Sequence, residues 1–344
     1  MIDYFASLIG HENVKEFLTD SYNKNKISHA YIFCGPENVG KTKAAECFAA
    51  LLLNQLPHSP SISQSEMGQP PYSPPVSQGE IGGVRGGDDF QFLKNNPDFF
   101  LIERGINEKT KKPSQDVTIG QIRALGGRIE SSSFLGGKKV VVVKEADLMN
   151  REAANSFLKN LEEPRGDTVI ILLVNKIEAL PATVMSRCQI IYFHPVSPQK
   201  IKEHLLALGA DSSKADFIIK MADSRPGLAL RLFSDKNLFN FYKEETENFL
   251  EMLNLSLAER LAVARKSLPG KEVDKLREKM YNTLSVWMVT CRDLMRQSTQ
   301  ELGATRSRAD FANLLEKLNK ALGQIKANVN PKLILENIMI NIKN

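Results

Sequence analysis

HAYIFCGPENVGKT, residues 29–42, runs from an apolar stretch through a glycine turn into KTKAAECFAALLLNQL, where apolar residues recur at helical spacing. The turn itself, Gly35 to Thr42, fits G-x-x-x-x-G-K-[ST] and stands where that pattern must stand, behind a strand and at the head of a helix. Glycines at 35 and 40 let backbone N–H groups curl around phosphate, Lys41 reaches the β and γ oxygens, and the Thr42 hydroxyl can ligate Mg²⁺. The helix N-terminus favours the same anion. A glycine turn kept after its ligand was lost is the alternative.

Downstream, KKVVVVKEAD (138–147) holds four consecutive valines and TVIILLVN (168–175) repeats the design, so buried parallel strands are expected. Helical stretches separate the strands, the second being NREAANSFLKNLEEP, stopped by Pro164. Strand alternating with helix predicts an α/β domain, a parallel sheet covered on both faces. A short strand, QIIYFHP, ends this domain at 195, and Ser197 before Pro198 makes a good helix start. From Leu238 onward apolar residues keep helical spacing, as in Leu276, Met280, Leu284, Trp287 and Cys291, then Phe311, Leu314, Leu318, Leu322 and Ile325. A helical C-terminal domain follows, with Trp287 and the methionines as core packing. Between Pro57 and Gly87 more than half of the residues are Pro, Ser or Gly, so 57–88 reads as a disordered insertion of linker type.

A chain of 344 residues has room for two or three domains. Its 42% hydrophobic and 25% charged residues are ordinary globular usage, which excludes a wholly disordered chain or a fibre. No run nears the roughly 18 apolar residues of a spanning helix, and MIDYFASLIGHENV has no basic-then-apolar leader pattern. A cytoplasmic protein without a membrane partner is expected. The net charge of +5 permits nucleic-acid contact without identifying it. Cys34, Cys47, Cys188 and Cys291 show no CxxC pair, and the histidines no ligand spacing, so neither a zinc cage nor a disulfide framework is expected. No G-x-S-x-G elbow or Cys–His signature supports a covalent hydrolase.

A P-loop enzyme needs a carboxylate at the end of its second strand to hold magnesium, and usually a following Glu to orient the attacking water. Here Val143 is followed by Lys144, Glu145, Ala146 and Asp147. A fixed cation at 144 repels Mg²⁺, so hydrolysis is disfavoured at this degenerate site. Lys144 either stands in for the metal against phosphate or fills a site that holds nothing. Neighbouring strand residues face opposite sides, so Glu145 does not simply replace residue 144, and Asp147 lies past the strand. Asn175 ends the third strand, where it either faces a γ-phosphate or serves a turn. Arg187, in VMSRCQ (184–189), either projects into a neighbour's phosphate site or is a solvated surface group.

LIGHENV, HAYIFCGPENVGKT, NNPDFFLIE, IGQIRALGGRI, KKVVVVKEADLMNREAANSFLKNLEEP and LPATVMSRCQIIYF together resemble, in order, the bacterial clamp-loader AAA+ subunits of DNA polymerase III. SRPGLALRLF is similar to that family's lid motif and NVNPKLILENIMINI to its C-terminal signature, so the resemblance covers nearly the whole chain. It implies a RecA-like AAA+ domain over 1–195, a small helical lid over 196–236 and a helical collar over 237–344 that joins five subunits into a ring. It also implies partners: gamma/tau motor subunits, a delta subunit, the sliding clamp and primer-template DNA, met in DNA replication. For a stator-type member, the resemblance implies that the arginine of Ser186–Arg187–Cys188 acts in trans on ATP held by the adjacent motor subunit.

The departures from the family pattern carry weight. The family's four-cysteine zinc module is replaced by the Pro/Ser/Gly insertion, so no zinc is expected. Gly227 stands where motor subunits carry a lid arginine, and Arg225 is displaced from it. With Lys144, this points away from a motor subunit, whereas the intact Gly35–Thr42 points the other way. Bound ATP stays open and Mg²⁺ is disfavoured. The expectation is a clamp-loader stator with little or no hydrolysis of its own. One alternative is a motor-type ATPase in which Glu145 and Asp147 compensate for Lys144; the other, a stand-alone P-loop kinase or helicase, lacks the further motifs it would need.

Overall fold

In the computed structural model, β1 (Ala30–Cys34), β2 (Phe99–Ile102), β3 (Lys139–Val143), β4 (Thr168–Val174) and β5 (Gln189–Tyr192) form one sheet in the order β2-β3-β4-β1-β5. Every neighbouring pair is parallel. The structure describes residues 3–54, 90–91, 93–107, 112–113, 117–118, 120–122, 133–162, 167–266, 273–297, 307–327 and 329–342. The insertion read over 57–88 lies outside the described residues.

β1, β3 and β4 are buried at every residue, which is why their sequences read as unbroken apolar runs. Each fully buried valine of Val140–Val143 contributes about 1.5–2 kcal/mol of transfer free energy. Successive strand residues feed two different cores. Tyr31, Phe33, Val140 and Val142 meet α2 (Lys41–Leu52) through Ala44, Phe48 and Leu52, whereas Ile32, Cys34, Val141 and Val143 meet α3 (Arg151–Glu162) through Ala153, Phe157 and Leu161. Tyr31 and Phe48 pack edge to face with centroids 5.4 Å apart. Parallel packing puts the carboxyl ends of all five strands on one rim, where the glycine turn lies. β2 is not signalled by periodicity: it is four residues long, sits on an edge and is only half-buried at Phe100 and Leu101.

Two compact units emerge, Met1–Lys200 with Arg225–Gly227, and Ile201–Ser224 with Leu228–Asn344. Most of the residues read as lid and all those read as collar fall in the second. It holds α6 (Ser212–Ala222), α8 (Lys236–Asn254), α9 (Leu257–Lys266), α10 (Val273–Gln297), α11 (Arg308–Lys326) and α12 (Pro331–Asn341). Its core gathers the helical stripes seen in the sequence, with Phe249 and Trp287 at 5.5 Å between ring centroids and Leu318 and Ile338 fully enclosed. Arg260, 2% exposed, donates through Nη1 to the Ile342 carbonyl at 2.6 Å and so ties α9 to the end of α12. Ser307 and Asp310 form a reciprocal capping box that starts α11. No helix among the described residues is long and apolar enough to cross a membrane.

Candidate functional site

The P-loop is held open by backbone contacts that only small residues permit. Cys34 closes β1 by accepting from the Phe193 N–H at 2.7 Å, and the Gly35 N–H donates to the Val174 carbonyl at 3.2 Å. A Cβ on Gly35 would sit 2.4 Å from the Phe193 carbonyl oxygen, so no other residue fits there. Gly40 caps α2 at φ 119° with no side-chain cap, which leaves the first-turn N–H groups of the helix for a ligand. Two outside groups brace the loop. His11 Nε2 donates to the Val39 carbonyl at 2.9 Å, and burial holds this imidazole below its usual pKa. The Gly227 N–H donates to the Asn38 carbonyl at 2.8 Å, and a Cβ on Gly227 would come within 2.9 Å of that oxygen. The segment Arg225–Gly227 thus belongs to the P-loop unit, and Gly227 meets the loop by backbone alone.

Lys41 is 7% exposed. Its Nζ donates to the carbonyls of Gly35 at 2.5 Å and Pro36 at 2.7 Å, and to Asn175 Oδ1 at 3.0 Å. Burial pushes its pKa down to about 8, against the opposing pull of the Glu37 and Asp147 carboxylates. Asn175, which as a residue type serves turns equally well, therefore brings its side chain onto the P-loop lysine. Thr42 lies half-buried beside it in the first turn of α2.

The degenerate strand end is occupied by ion pairs. Ile102 pairs with Val143 in register, so residues 103 and 144, then 104 and 145, leave the sheet side by side. Lys144 Nζ lies 2.7 Å from Glu103 Oε1 and 5.6 Å from the centre of the Phe90 ring. Arg104 grips Glu145 at both oxygens, Nε to Oε2 at 2.5 Å and Nη2 to Oε1 at 2.9 Å. The charges run Glu–Arg on one strand end and Lys–Glu on the other, so two complementary ion pairs form straight across. Glu103 and Arg104 were missed in the sequence; their signal was this complementarity, visible only once β2 and β3 are known to be neighbours. Beyond them Asp147, in the 3₁₀ turn Ala146–Leu148, accepts from the Asn175 N–H at 3.3 Å.

Arg187 leaves the end of α4 (Ala182–Met185) with its side chain about one-third exposed. Nη2 pairs with Glu162 Oε1 at 2.7 Å, and Nη1 donates to the Thr183 carbonyl at 2.9 Å and Ser186 Oγ at 3.2 Å. Cys188 points the other way, partly buried against the α3-side core, and its thiol is pushed up to about 12 by burial. Of the motif, serine and arginine serve the surface and cysteine the packing.

A family model described as DNA polymerase III, delta subunit, matches residues 10–68 and 92–197. DNA polymerase III subunit delta' of Pseudomonas aeruginosa is 35% identical over 161 residues, 47% of this chain and 42% of that one. The subunit delta' of Bacillus subtilis is 30% identical over 213 residues, 61% of this chain and 56% of its own. The chain thus spans about half the length of these curated relatives. A solved structure of a DNA polymerase III gamma subunit-related protein from Thermotoga maritima shares the fold, with a TM-score of 0.54 at 17% identity over 94% of this chain and 98% of that one. Likeness of this extent places the P-loop domain, matched over residues 10–68 and 92–197, in the family of DNA polymerase III delta-prime subunits.

Proposed function

We propose that the chain is the stator of its clamp loader. It occupies a fixed place in a ring of five with gamma/tau motor subunits and a delta subunit, helps load the sliding clamp on primer-template DNA, and lends Arg187 to ATP on the adjacent motor subunit. Its own P-loop holds a nucleotide without turning it over. The observation that carries this reading is the pair of adjacent salt bridges, Glu103–Lys144 and Arg104–Glu145. A water-orienting Glu145 would have to give up a bidentate guanidinium, and residue 144 brings a cation where a carboxylate is needed.

The setting of Arg187 supports the donor role. Its partners are a half-exposed Glu162 and a helix-end carbonyl, and a surface pair of this kind is worth about 0–1 kcal/mol. The guanidinium is therefore released at little cost to a neighbour's phosphates, where it would offset charge developing on the transferring phosphoryl.

Steady-state ATP hydrolysis by the purified chain, with Mg²⁺ and primed DNA, is expected not to exceed that of Lys41→Ala. In the reconstituted loader, Arg187→Ala is expected to lower the clamp- and DNA-stimulated rate at the neighbouring site by about 10³-fold or more while the chain's own thermal unfolding barely moves. An unchanged rate removes the donor assignment. A motor-type ATPase is the second reading, favoured by the Asp147 carboxylate lying close enough to act on the Lys41 charge; turnover that disappears in Lys41→Ala would establish it.

A further inference from the structure

The turn after β3 does more than end the strand. Glu145 adopts left-handed backbone, φ 49°, and the 3₁₀ turn that follows swings Asp147 back to the end of β4, where Oδ2 meets the Asn175 N–H. Asp147 Oδ1 is buried, and no donor among the described residues reaches it. Folded proteins rarely leave a buried carboxylate oxygen without a donor unless something else meets it. Asp147 also acts on the Lys41 charge, while Lys41 and Asn175 touch at 3.0 Å. The P-loop lysine, the third-strand amide and this carboxylate therefore share one site. Residue 144 does not fit a divalent cation, because its ammonium is a cation engaged by Glu103. Asp147 and Thr42 do fit one: both offer hard oxygen, the first anionic and acting on the Lys41 charge, the second neutral and next to Lys41 in the first turn of α2.

We propose that Asp147, three residues past the usual position, supplies the metal-facing carboxylate of this P-loop, so that the site takes a nucleoside phosphate as its divalent-metal complex. Thr42 is the second protein oxygen toward the cation. The inference rests on the reading of Gly35–Thr42 as a nucleotide site. A carboxylate facing bare phosphates repels them, whereas the same carboxylate attracts phosphates that carry a divalent cation. Affinity without turnover is consistent with the strand end, since Glu145 stays on Arg104.

Asp147→Asn keeps an oxygen for the Asn175 N–H and removes only the charge, which separates a metal-facing role from a structural one. A fluorescent ATP analogue is titrated into the full chain in Mg²⁺ and in EDTA. The wild-type chain is expected to bind about tenfold or more tightly in Mg²⁺. Asp147→Asn is expected to bind in EDTA at least as well as wild type and to gain less than about twofold from Mg²⁺. Thr42→Val should lose the gain in the same direction, and Mn²⁺ retained with nucleotide, counted by electron paramagnetic resonance, should fall in both variants. Wild-type binding that ignores Mg²⁺, or an Asp147→Asn variant that keeps the full gain, overturns the role of Asp147 and leaves the nucleotide reading standing. Absence of nucleotide binding in either condition overturns both.

Discussion

Lys41 concentrates the physical chemistry of the site in one side chain. Its charged form is disfavoured by burial, so the folded pKa of about 8 lies below the ordinary 10.5. Between those two values the unfolded chain holds a proton that the folded chain has released, so this group makes stability rise with pH from 8 to 10.5 and stay flat below 8. Lys41→Met removes that contribution. Its stability relative to wild type is therefore expected to be greatest below pH 8, by up to about 3 kcal/mol, and to shrink toward pH 10.5. Denaturant melts of both proteins at pH 7.5 and pH 10 measure the difference, and a difference independent of pH would contradict the burial account. The lysine and its glycines were legible in the sequence because the P-loop is a local motif, complete within eight residues. Its neighbours were legible only as candidates, since Asn175, 134 residues away, reads equally as a turn residue and Asp147 reaches the site only through a left-handed turn at Glu145.

Among the elements, legibility followed burial. β1, β3 and β4 announce themselves because both faces are covered, and α10 and α11 because one face is. β2 is a short edge strand with neither property, and with it went the knowledge that residues 103–104 stand beside 144–145. The start of α7 (Pro226–Ser234) shows how tightly one element can be fitted to another. Gly227 lies against the Asn38 backbone, and a methyl group there would approach carbonyl oxygen at 2.9 Å and carbonyl carbon at 3.3 Å. Gly227→Ala is therefore expected to stretch the Gly227–Asn38 hydrogen bond and cost about 1–3 kcal/mol, read as a lowered Tm. Retained stability would mean that the α7 start is free to shift off the loop. The same contact leaves no room for a longer side chain on residue 227, which would have to begin against the P-loop's own backbone.

For the whole molecule, two separate sets of apolar contacts have to survive, one around the parallel sheet and one among the C-terminal helices. The cysteines are distributed between them, Cys34, Cys47 and Cys188 in the first unit and Cys291 in the second. Burial raises the pKa of all four thiols, to about 12 for Cys188 and Cys291. A thiol held this far above neutrality carries almost no thiolate, and thiolate is the form that reacts with alkylating reagents. The folded chain should therefore be nearly inert to a pulse of iodoacetamide at pH 7.5, with each thiol becoming reactive only when its own unit opens. Mass mapping of the modified peptides along a urea series would turn the four native side chains into independent clocks, and labelling of Cys291 at a different urea concentration from Cys34 and Cys47 would show that the two units come apart as separate cooperative events.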